Sequence, residues 1–204
     1  MTGLAAYARL EALGGVVTTA EAAAALRVSP SAASRILRAL DAAGRATHLR
    51  SGLWHIGTGR PLATAIVRDV LRPHPAYVSF LSALNLVGAI DQRPRTIGVA
   101  SLDRARTIET TVGTYAVHHL PPELFGGWEE TPKGPVATPT KAIFDLCYVA
   151  AAHRGRPRPL PELDVPGLHS VAQFEPWLSR VQNARVRTVT EAALRRAIER
   201  SRAR

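Results

Sequence analysis

Residues 29–44 read SPSAASRILRALDAAG, and their spacing predicts a helix over about residues 30–43 with one apolar and one polar face. Ser29 is expected to cap the helix and Pro30 to take its first position, where the missing amide hydrogen of proline costs nothing. The apolar stripe follows the helical spacing i, i+3, i+4 and i+7 and consists of Ala33, Ile36, Leu37 and Leu40. The polar face consists of Ser31, Ser34, Arg35 and Arg38.

The residues before this helix predict two shorter helices. Thr18 and Glu21 form the pattern of a capping box, which predicts a helix over about residues 19–26 and a turn at Arg27-Val28. An earlier helix is predicted to end at Gly14-Gly15, because glycine accepts the left-handed conformation of a C-cap. One face of that first helix is predicted to carry Leu4, Tyr7, Ala8 and Leu10.

The residues after Gly44 predict a basic β-hairpin, because RATHLR (45–50) and LWHI (53–56) flank the turn pair Ser51-Gly52. Three helices followed by such a hairpin are the order of a winged helix-turn-helix, with Arg45 and Arg50 on the wing. Arginine can read guanine bidentately in the major groove, and serine can meet bases or phosphate. The predicted DNA-binding residues are Ser29, Ser31, Ser34, Arg35, Arg38, Arg45 and Arg50.

The alternative for this segment is a small helical module that binds protein. Two features favour DNA over that alternative: the chain has no carboxylate between Ser29 and Leu40, and the basic hairpin follows at the expected distance.

The charge of the 204-residue chain is strongly positive, with 26 basic and 16 acidic residues and an isoelectric point near 11.1. Only Lys133 and Lys141 are lysines. Residues 1–58 hold six arginines and three acidic residues, and residues 176–204 hold eight arginines and two, whereas the middle is nearly neutral. Positive charge concentrated at both ends of the chain favours a polyanionic partner, although a solvated basic surface would give the same composition.

The break Thr58-Gly59-Arg60-Pro61 predicts a linker, so residues 1–58 are assigned to the winged helix-turn-helix domain and residues 59–204 to a second domain. Helices are predicted over 62–71, 77–90, 139–152, 168–181 and 189–203, and a short one over 121–125. Strands are predicted over 96–100, 112–120 and 134–138, with 108–110 as a further candidate. Residues 154–166 contain four prolines and are predicted to be a loop. The overall fold class is therefore α+β, a winged helix-turn-helix followed by a mixed α/β domain with a basic C-terminal helix.

Three runs in the second domain resemble the AbiEi family of antitoxins. AYVSFLSAL (76–84) resembles the family's aromatic-serine-alanine-leucine run, and TIGVA (96–100) with Arg104-Ala105-Arg106 resembles the strand and basic segment that follow it. VATPTKAIFD (136–145) is similar to the signature A-[ST]-P-x-K-A-[ILF]-x-D, with Thr140 where the family often has glutamate. The arginine-rich C-terminal stretch matches no signature of the family.

The resemblance implies the antitoxin of a type IV toxin–antitoxin pair. In such pairs the N-terminal domain represses the shared operon by binding repeats in its promoter, and the C-terminal domain opposes a nucleotidyltransferase-like toxin. Most members act without a stable complex, although direct complexes occur. The implied partners are therefore double-stranded promoter DNA and the cognate toxin, with no cofactor. The competing hypothesis is a stand-alone winged-helix regulator whose second domain senses a small ligand.

Three cations of the second domain are candidates for the antitoxin activity: Arg104, Arg106 and Lys141. The two arginines would form a local positive spot, or would be ordinary loop arginines. Lys141 lies in the first turn of its predicted helix, where the helix dipole disfavours a cation, and this position predicts a structural ion pair with Asp145 one turn later.

No pattern of catalytic or metal-binding residues stands out, so we expect no enzyme, no metal and no cofactor. The closest match to a metal-dependent nuclease, Glu129 to Lys133, has its lysine one residue too far, and Pro132 interrupts the strand. His118 and His119 are expected on opposite faces of a strand, and Cys147, the single cysteine, is expected in the core. The chain shows neither a signal-peptide pattern nor a membrane-spanning apolar run, so a cytoplasmic location is expected.

Overall fold

The computed structural model describes residues 3–153 and 163–202 and has an α+β fold, as predicted. It divides into two compact units. The first unit comprises Met1–Val70 and Glu109–Gly113, and the second comprises Leu71–Ile108 and Thr114–Arg204. Part of the loop predicted over 154–166 lies outside the described residues.

The first unit contains helices and a three-stranded antiparallel sheet of order β1-β3-β2. Its elements are α1 (Gly3–Glu11), β1 (Val16–Thr18), α2 (Thr19–Leu26), α3 (Pro30–Ala42), β2 (Ala46–Arg50), β3 (Leu53–Ile56) and, at its end, α4 (Val67–Leu71). The three predicted helices and the hairpin β2–β3 are thus confirmed. Strand β1 was not predicted, because three residues are too short to show an alternating pattern.

Local hydrogen bonds explain why α2 and α3 begin where they do. The amide of Glu21 donates to the Thr18 hydroxyl (3.1 Å), and the amide of Thr18 donates to the Glu21 carboxylate (2.6 Å), so the predicted capping box is present. The amide of Ala32 donates to the Ser29 hydroxyl (3.3 Å), and Pro30 occupies the first helical turn. Both helix starts therefore follow from sequence-local interactions.

The core of the first unit lies between these helices and the sheet. Ala33, Leu37 and Leu40 are buried as predicted, whereas Ile36 is only half-buried. The face predicted for α1 is correct for the buried Leu10 and the half-buried Tyr7, which packs against the core, and wrong for Leu4, which is 69% exposed, and for Ala8, which is exposed. The two fully buried residues of α1 are Leu10 and Ala6, which lie four residues apart and therefore share one face of the helix.

The second unit is built around a six-stranded mixed sheet of order β6-β7-β5-β4-β9-β8. Its strands are β4 (Ala76–Val78), β5 (Ile97–Ser101), β6 (Arg106–Thr110), β7 (Gly113–His119), β8 (Trp128–Thr131) and β9 (Gly134–Ala137). Strand β4 is antiparallel to β5 and parallel to β9, and β5 is parallel to β7. The helices are α5 (Phe80–Leu86), α6 (Pro139–Ala152), α7 (Glu175–Leu178) and α8 (Ala184–Arg202), with 3-10 turns at Pro122–Leu124 and Val171–Phe174.

The sequence-based helix over 77–90 is wrong at its start. Tyr77 and Val78 belong to β4, where they pair with Ala100 and Val99, and the helix α5 begins only at Phe80. Aromatic and β-branched residues fit a strand that is buried on both faces, and pairing with two neighbouring strands outweighs the local helical spacing.

Other predicted boundaries in this part of the chain also differ. The helix predicted over 62–71 is α-helical only at Val67–Leu71, and the one predicted over 168–181 only at Glu175–Leu178. Helix α8 starts at Ala184 rather than at residue 189, and β8 was missed. Helix α6 and the strands β5, β7 and β9 lie close to their predicted positions, and the candidate at 108–110 lies within β6.

The boundary between the units falls at Val70/Leu71, twelve residues beyond the predicted position at 58/59. Hydrogen bonds explain why residues 59–70 stay with the first unit: the Thr47 hydroxyl donates to the Gly59 carbonyl (3.4 Å), and Arg50 Nη2 donates to the Val70 carbonyl (3.2 Å). Residues 109–113 join the first unit because the amide of Thr111 donates to the Leu49 carbonyl (2.9 Å).

The position of Leu37 in this core leads to a prediction. Leu37→Ala is expected to lower the free energy of unfolding by about 2–5 kcal/mol, because it opens a cavity around a side chain that is 0% exposed. Leu4→Ala removes the same atoms from an exposed position of α1 and is expected to change it by less than about 0.5 kcal/mol. Urea denaturation measures both, and equal losses would contradict this assignment of the core.

Candidate functional site

The outward face of α3 presents the predicted polar residues to solvent. Ser31, Arg35 and Arg38 are exposed, and Ser34 is half-buried at the edge of this face. Arg38 lies along the helix, because its Nε donates to the Ser34 carbonyl (3.2 Å). The helix therefore offers guanidinium and hydroxyl groups on one side while its other side packs in the core.

Ser29 has a structural task at the start of α3. Its hydroxyl accepts the amide of Ala32 and lies 3.0 Å from the hydroxyl of Ser31. Ser29 is exposed, but its hydroxyl is already engaged by the Ala32 amide and by the Ser31 hydroxyl.

Arg45 precedes β2 and lies against α1. Its guanidinium carbon is 5.2 Å from the centre of the Tyr7 ring, and the Tyr7 hydroxyl donates to the Glu11 carboxylate (2.8 Å). That hydrogen bond raises the pKa of Tyr7 and keeps its hydroxyl protonated. The aromatic face limits the positions that the exposed guanidinium of Arg45 samples.

Arg50 ends β2 and is held by the hydrogen bond to the Val70 carbonyl described above. The outer edge of β2 is covered by Thr111, whose hydroxyl donates to the His48 carbonyl (2.6 Å). Arg60 in turn donates to the Thr111 carbonyl. The hairpin β2–β3 is therefore fixed along its outer strand by residues distant in sequence.

Arg104 and Arg106 of the second unit both meet Asp103. The guanidinium of Arg106 lies 2.7 Å from the Asp103 carboxylate, and the amide of Arg104 donates to the same group (2.8 Å). His74 lies 3.7 Å from it as well. Asp103 therefore partly neutralises the positive charge predicted for Arg104 and Arg106. The contact between Asp103 and His74 was not predicted from the sequence.

Lys141 lies entirely inside the second unit, and its predicted pairing with Asp145 is confirmed. Both side chains are 0% exposed and form an ion pair one helical turn apart in α6. Lys141 Nζ also donates to the Leu124 carbonyl (2.7 Å). A partner protein cannot touch a side chain buried in this way, so Lys141 is a core residue.

Two hydroxyls from another part of the chain complete this buried network. The Tyr77 hydroxyl (3.0 Å) and the Ser79 hydroxyl (2.7 Å) both donate to one carboxylate oxygen of Asp145, while Lys141 holds the other. Ser79 immediately precedes Phe80, whose φ of 59° is unusual for a bulky residue. The network ties the end of β4 to α6.

Aromatic rings surround the Lys141 ammonium group. Its Nζ lies 5.0 Å from the ring centre of Phe144, 5.6 Å from that of Trp177 and 6.0 Å from that of Tyr77. Burial lowers the pKa of Lys141 and raises that of Asp145, and the attraction between the two charges acts in the opposite direction. The rings and the carboxylate together replace the water that the ammonium group loses.

Cys147 and His118, the other side chains considered for a reactive role, pack against neighbouring residues instead. Cys147 is buried, and burial raises the pKa of its thiol to about 12, in agreement with the predicted core position. His118 contacts the Phe80 ring (4.5 Å between ring centres), and burial lowers its pKa. Among residues 3–153 and 163–202, no group of three or more histidine, cysteine, aspartate or glutamate side chains could hold a metal ion.

Comparison with known proteins gave no match to any family model and no match to any curated protein. Within the described parts of the chain, no helix combines the length and the apolar character needed to cross a membrane.

The buried network yields a second prediction. Lys141→Met leaves the Asp145 carboxylate without its cation and is expected to lower the free energy of unfolding by about 3–5 kcal/mol. Adding Asp145→Asn removes the unpaired charge, so the double variant is expected to lose less than the sum of the two single losses. Urea denaturation of all three variants measures this, and simple additivity would mean that the two charges do not interact.

Proposed function

We propose that the first unit is a winged helix-turn-helix that binds double-stranded DNA, with α3 as the recognition helix and the hairpin β2–β3 as the wing. The observation that carries the proposal is the outward face of α3, where Ser31, Arg35 and Arg38 are accessible while Ala33 and Leu37 pack inside. Arginine and serine on a rigid, capped helix have the chemistry for contacts in the major groove.

Arg45 and Arg50 of the proposed wing have the chemistry for phosphate contacts. Each has an intramolecular contact, but a guanidinium carries five N–H donors and both side chains remain exposed. A partner that restricts the side chain in advance lowers the conformational entropy lost on binding. The contacts to Tyr7 and Val70 are therefore compatible with positioning these arginines for a phosphate backbone.

We further propose that the chain is a non-catalytic, cytoplasmic antitoxin of the AbiEi type, which represses its own operon and opposes a nucleotidyltransferase-like toxin. The support is the resemblance of residues 76–84 and 136–145 to that family's runs. Tyr77 and Ser79 from the first run meet Lys141 and Asp145 from the second in one buried network. The two runs thus contribute to the same buried network, which favours a fold shared with the AbiEi family over a chance similarity of sequence.

A second candidate function is a regulator whose second unit senses a small ligand. A groove of about 450 Å³ in this unit favours it. Its lining combines small apolar residues of β7 and α6 with Arg106 and Thr107 of β6, and with His118 and His153. Loss of repression on addition of a metabolite, without any toxin present, would support this candidate over the antitoxin.

The DNA-binding proposal makes a quantitative prediction. Arg35→Ala is expected to cost about 1–3 kcal/mol on the preferred operator and to relax base preference, because it removes a base contact. Arg50→Ala is expected to weaken operator and random duplex alike and to reduce the salt slope by about one unit, because it removes a phosphate contact. Gel-shift titration at several salt concentrations measures both variants. Arg93→Ala, in an exposed loop of the second unit, is the control, and intact promoter binding by both test variants would refute the assignment.

The antitoxin proposal predicts growth rescue. We expect a nucleotidyltransferase-like toxin to be encoded beside this chain, and we expect coexpression of the full chain with that toxin to restore growth. The double variant Arg35→Ala/Arg38→Ala is expected to rescue equally well from a constitutive promoter, because DNA binding and neutralisation are assigned to different units. Growth arrest in the presence of folded wild-type chain would refute the proposal, and co-purification would reveal whether the two proteins form a complex.

A further inference from the structure

The open groove of the second unit is lined by residues of β6 and β7 and by the last turn of α6 with its C-cap residue His153. Its volume of about 450 Å³ lies within the range of small-molecule sites. Nine described residues line the groove, and none of them is acidic. The proposed DNA-binding residues lie in the first unit, and the Lys141–Asp145 network does not reach the lining, so the groove has no part in either.

Three side chains that donate hydrogen bonds reach this groove from three elements. Arg106 begins β6, His118 lies in β7, and His153 follows the last residue of α6. Burial lowers the pKa of His118, and the nearby His153 lowers it further. A few convergent polar groups on an otherwise apolar lining are typical of a small-molecule site.

Asp103 is the acidic partner of Arg106, and it leaves donors of the guanidinium group available. Arg106 Nη2 lies 2.7 Å from Asp103 Oδ2, but that oxygen forms no hydrogen bond, so the two groups attract as charges without an aligned N–H. A guanidinium group has five N–H donors. Asp103 itself does not line the groove. Arg106 can therefore meet a second anion there while Asp103 balances part of its charge.

The imidazole of His118 is restricted by the Phe80 ring, whose centre lies 4.5 Å from that of the imidazole. Phe80 is 5% exposed, and a Cβ at Gly98 would lie 3.1 Å from its ring, so the ring is closely packed on both the sheet and His118. A side chain that is already restricted loses less conformational entropy when it binds a ligand.

The apolar part of the lining consists of small side chains that are only half-buried. Ala116 of β7 and Val149 and Ala150 of α6 all have this intermediate exposure. A ligand that covered them would remove apolar surface from water, which favours binding. The groove thus combines an apolar surface with hydrogen-bond donors, and this combination suits a small molecule with one anionic and one apolar part.

The end of α6 limits the charge that such a ligand can carry. A helix C-terminus carries a partial negative charge of about half an elementary charge, and α6 ends at the groove. No helix N-terminus, the usual position for phosphate, contributes to the described lining. A singly charged carboxylate can still form two parallel hydrogen bonds with a guanidinium group. The electrostatics therefore favour a carboxylate over a doubly charged phosphate ester.

We propose that this groove binds a small monocarboxylate with an apolar body, whose carboxylate is held by Arg106 and accepts hydrogen bonds from His118 and His153. The inference deepens the second candidate function by naming its ligand class, and it rests on that candidate only in taking the groove as a ligand site. It is independent of the DNA-binding and antitoxin proposals.

The test uses the full chain and benzoate as the probe, with NMR spectra of the histidine side chains as the readout. Benzamide has a similar shape without the charge, and phenyl phosphate carries up to two charges. Benzoate is expected to bind at least about tenfold more tightly than either, because it alone offers one charged acceptor pair to Arg106. The signals of His118 and His153 are expected to move, whereas that of the exposed His169 is not.

Paired variants locate the binding site. Arg106→Ala is expected to lower the affinity for benzoate by roughly tenfold to a hundredfold, and Arg93→Ala, which removes the same charge from an exposed loop, is expected to leave it unchanged. Ala150→Phe fills the groove without removing a polar group and is expected to lower the affinity by at least about tenfold. Ala152→Phe places the same ring at an exposed position of α6 and is the matched control. The circular dichroism spectrum of each variant establishes that it is folded.

Several outcomes would overturn the proposal. Equal binding of benzoate and benzamide would mean that the groove does not select a carboxylate, and tighter binding of phenyl phosphate would assign it to phosphate esters. An unchanged affinity in Ala150→Phe, or an equal loss in Ala152→Phe, would place the site elsewhere. If neither benzoate nor the branched aliphatic isovalerate moves the His118 signal, the groove is not a monocarboxylate site.

Promoter binding, measured separately, distinguishes this inference from the candidate function that it deepens. If benzoate binds in the groove and leaves promoter binding unchanged, the binding site stands and ligand sensing fails. If a metabolite of another class releases the promoter and Ala150→Phe abolishes that response, ligand sensing stands and the monocarboxylate assignment fails.

Discussion

The carboxylate of Asp145 is the polar centre of the second unit, because three side chains from two parts of the chain converge on it. Lys141 approaches from the same helix, and the hydroxyls of Tyr77 and Ser79 approach from the end of β4. A buried charge that lost any of these partners would cost several kcal/mol. These bonds join the end of β4 to α6, and aromatic rings lie around the buried ammonium group of Lys141.

This network changes what the resemblance to the AbiEi family means. The two runs that carry the resemblance contain the two halves of the network, separated by 66 residues between Ser79 and Asp145. Their chemistry-bearing side chains are buried, so they explain how the unit folds rather than what it contacts. Functional specificity has to reside in exposed residues, and these lie on surfaces where the sequence pattern is less distinctive.

Helices α3 and α8 follow the same design in their separate units. Each buries an alanine- and leucine-containing face and exposes arginines on the other, so packing fixes the direction in which the guanidinium groups point. At the hairpin β2–β3, Tyr7 contacts the Arg45 side chain just before β2, and Val70 and Thr111 contact the end of β2 that carries Arg50. The exposed arginines of α3 and α8 are thus presented by helices whose other face is packed.

The sequence by itself determined the features whose causes are local. The capping box of α2, the serine cap of α3, the hairpin turn and the Lys141–Asp145 pair all join residues within about four positions, and each was predictable from spacing. Only the tertiary structure decided that residues 76–78 form a strand, that Leu4 faces solvent and that residues 59–70 stay with the first unit. Those outcomes depend on partners far away in sequence, such as Val136 beside Val78 or Val70 beside Arg50, and the energy of such contacts leaves no mark in the local pattern.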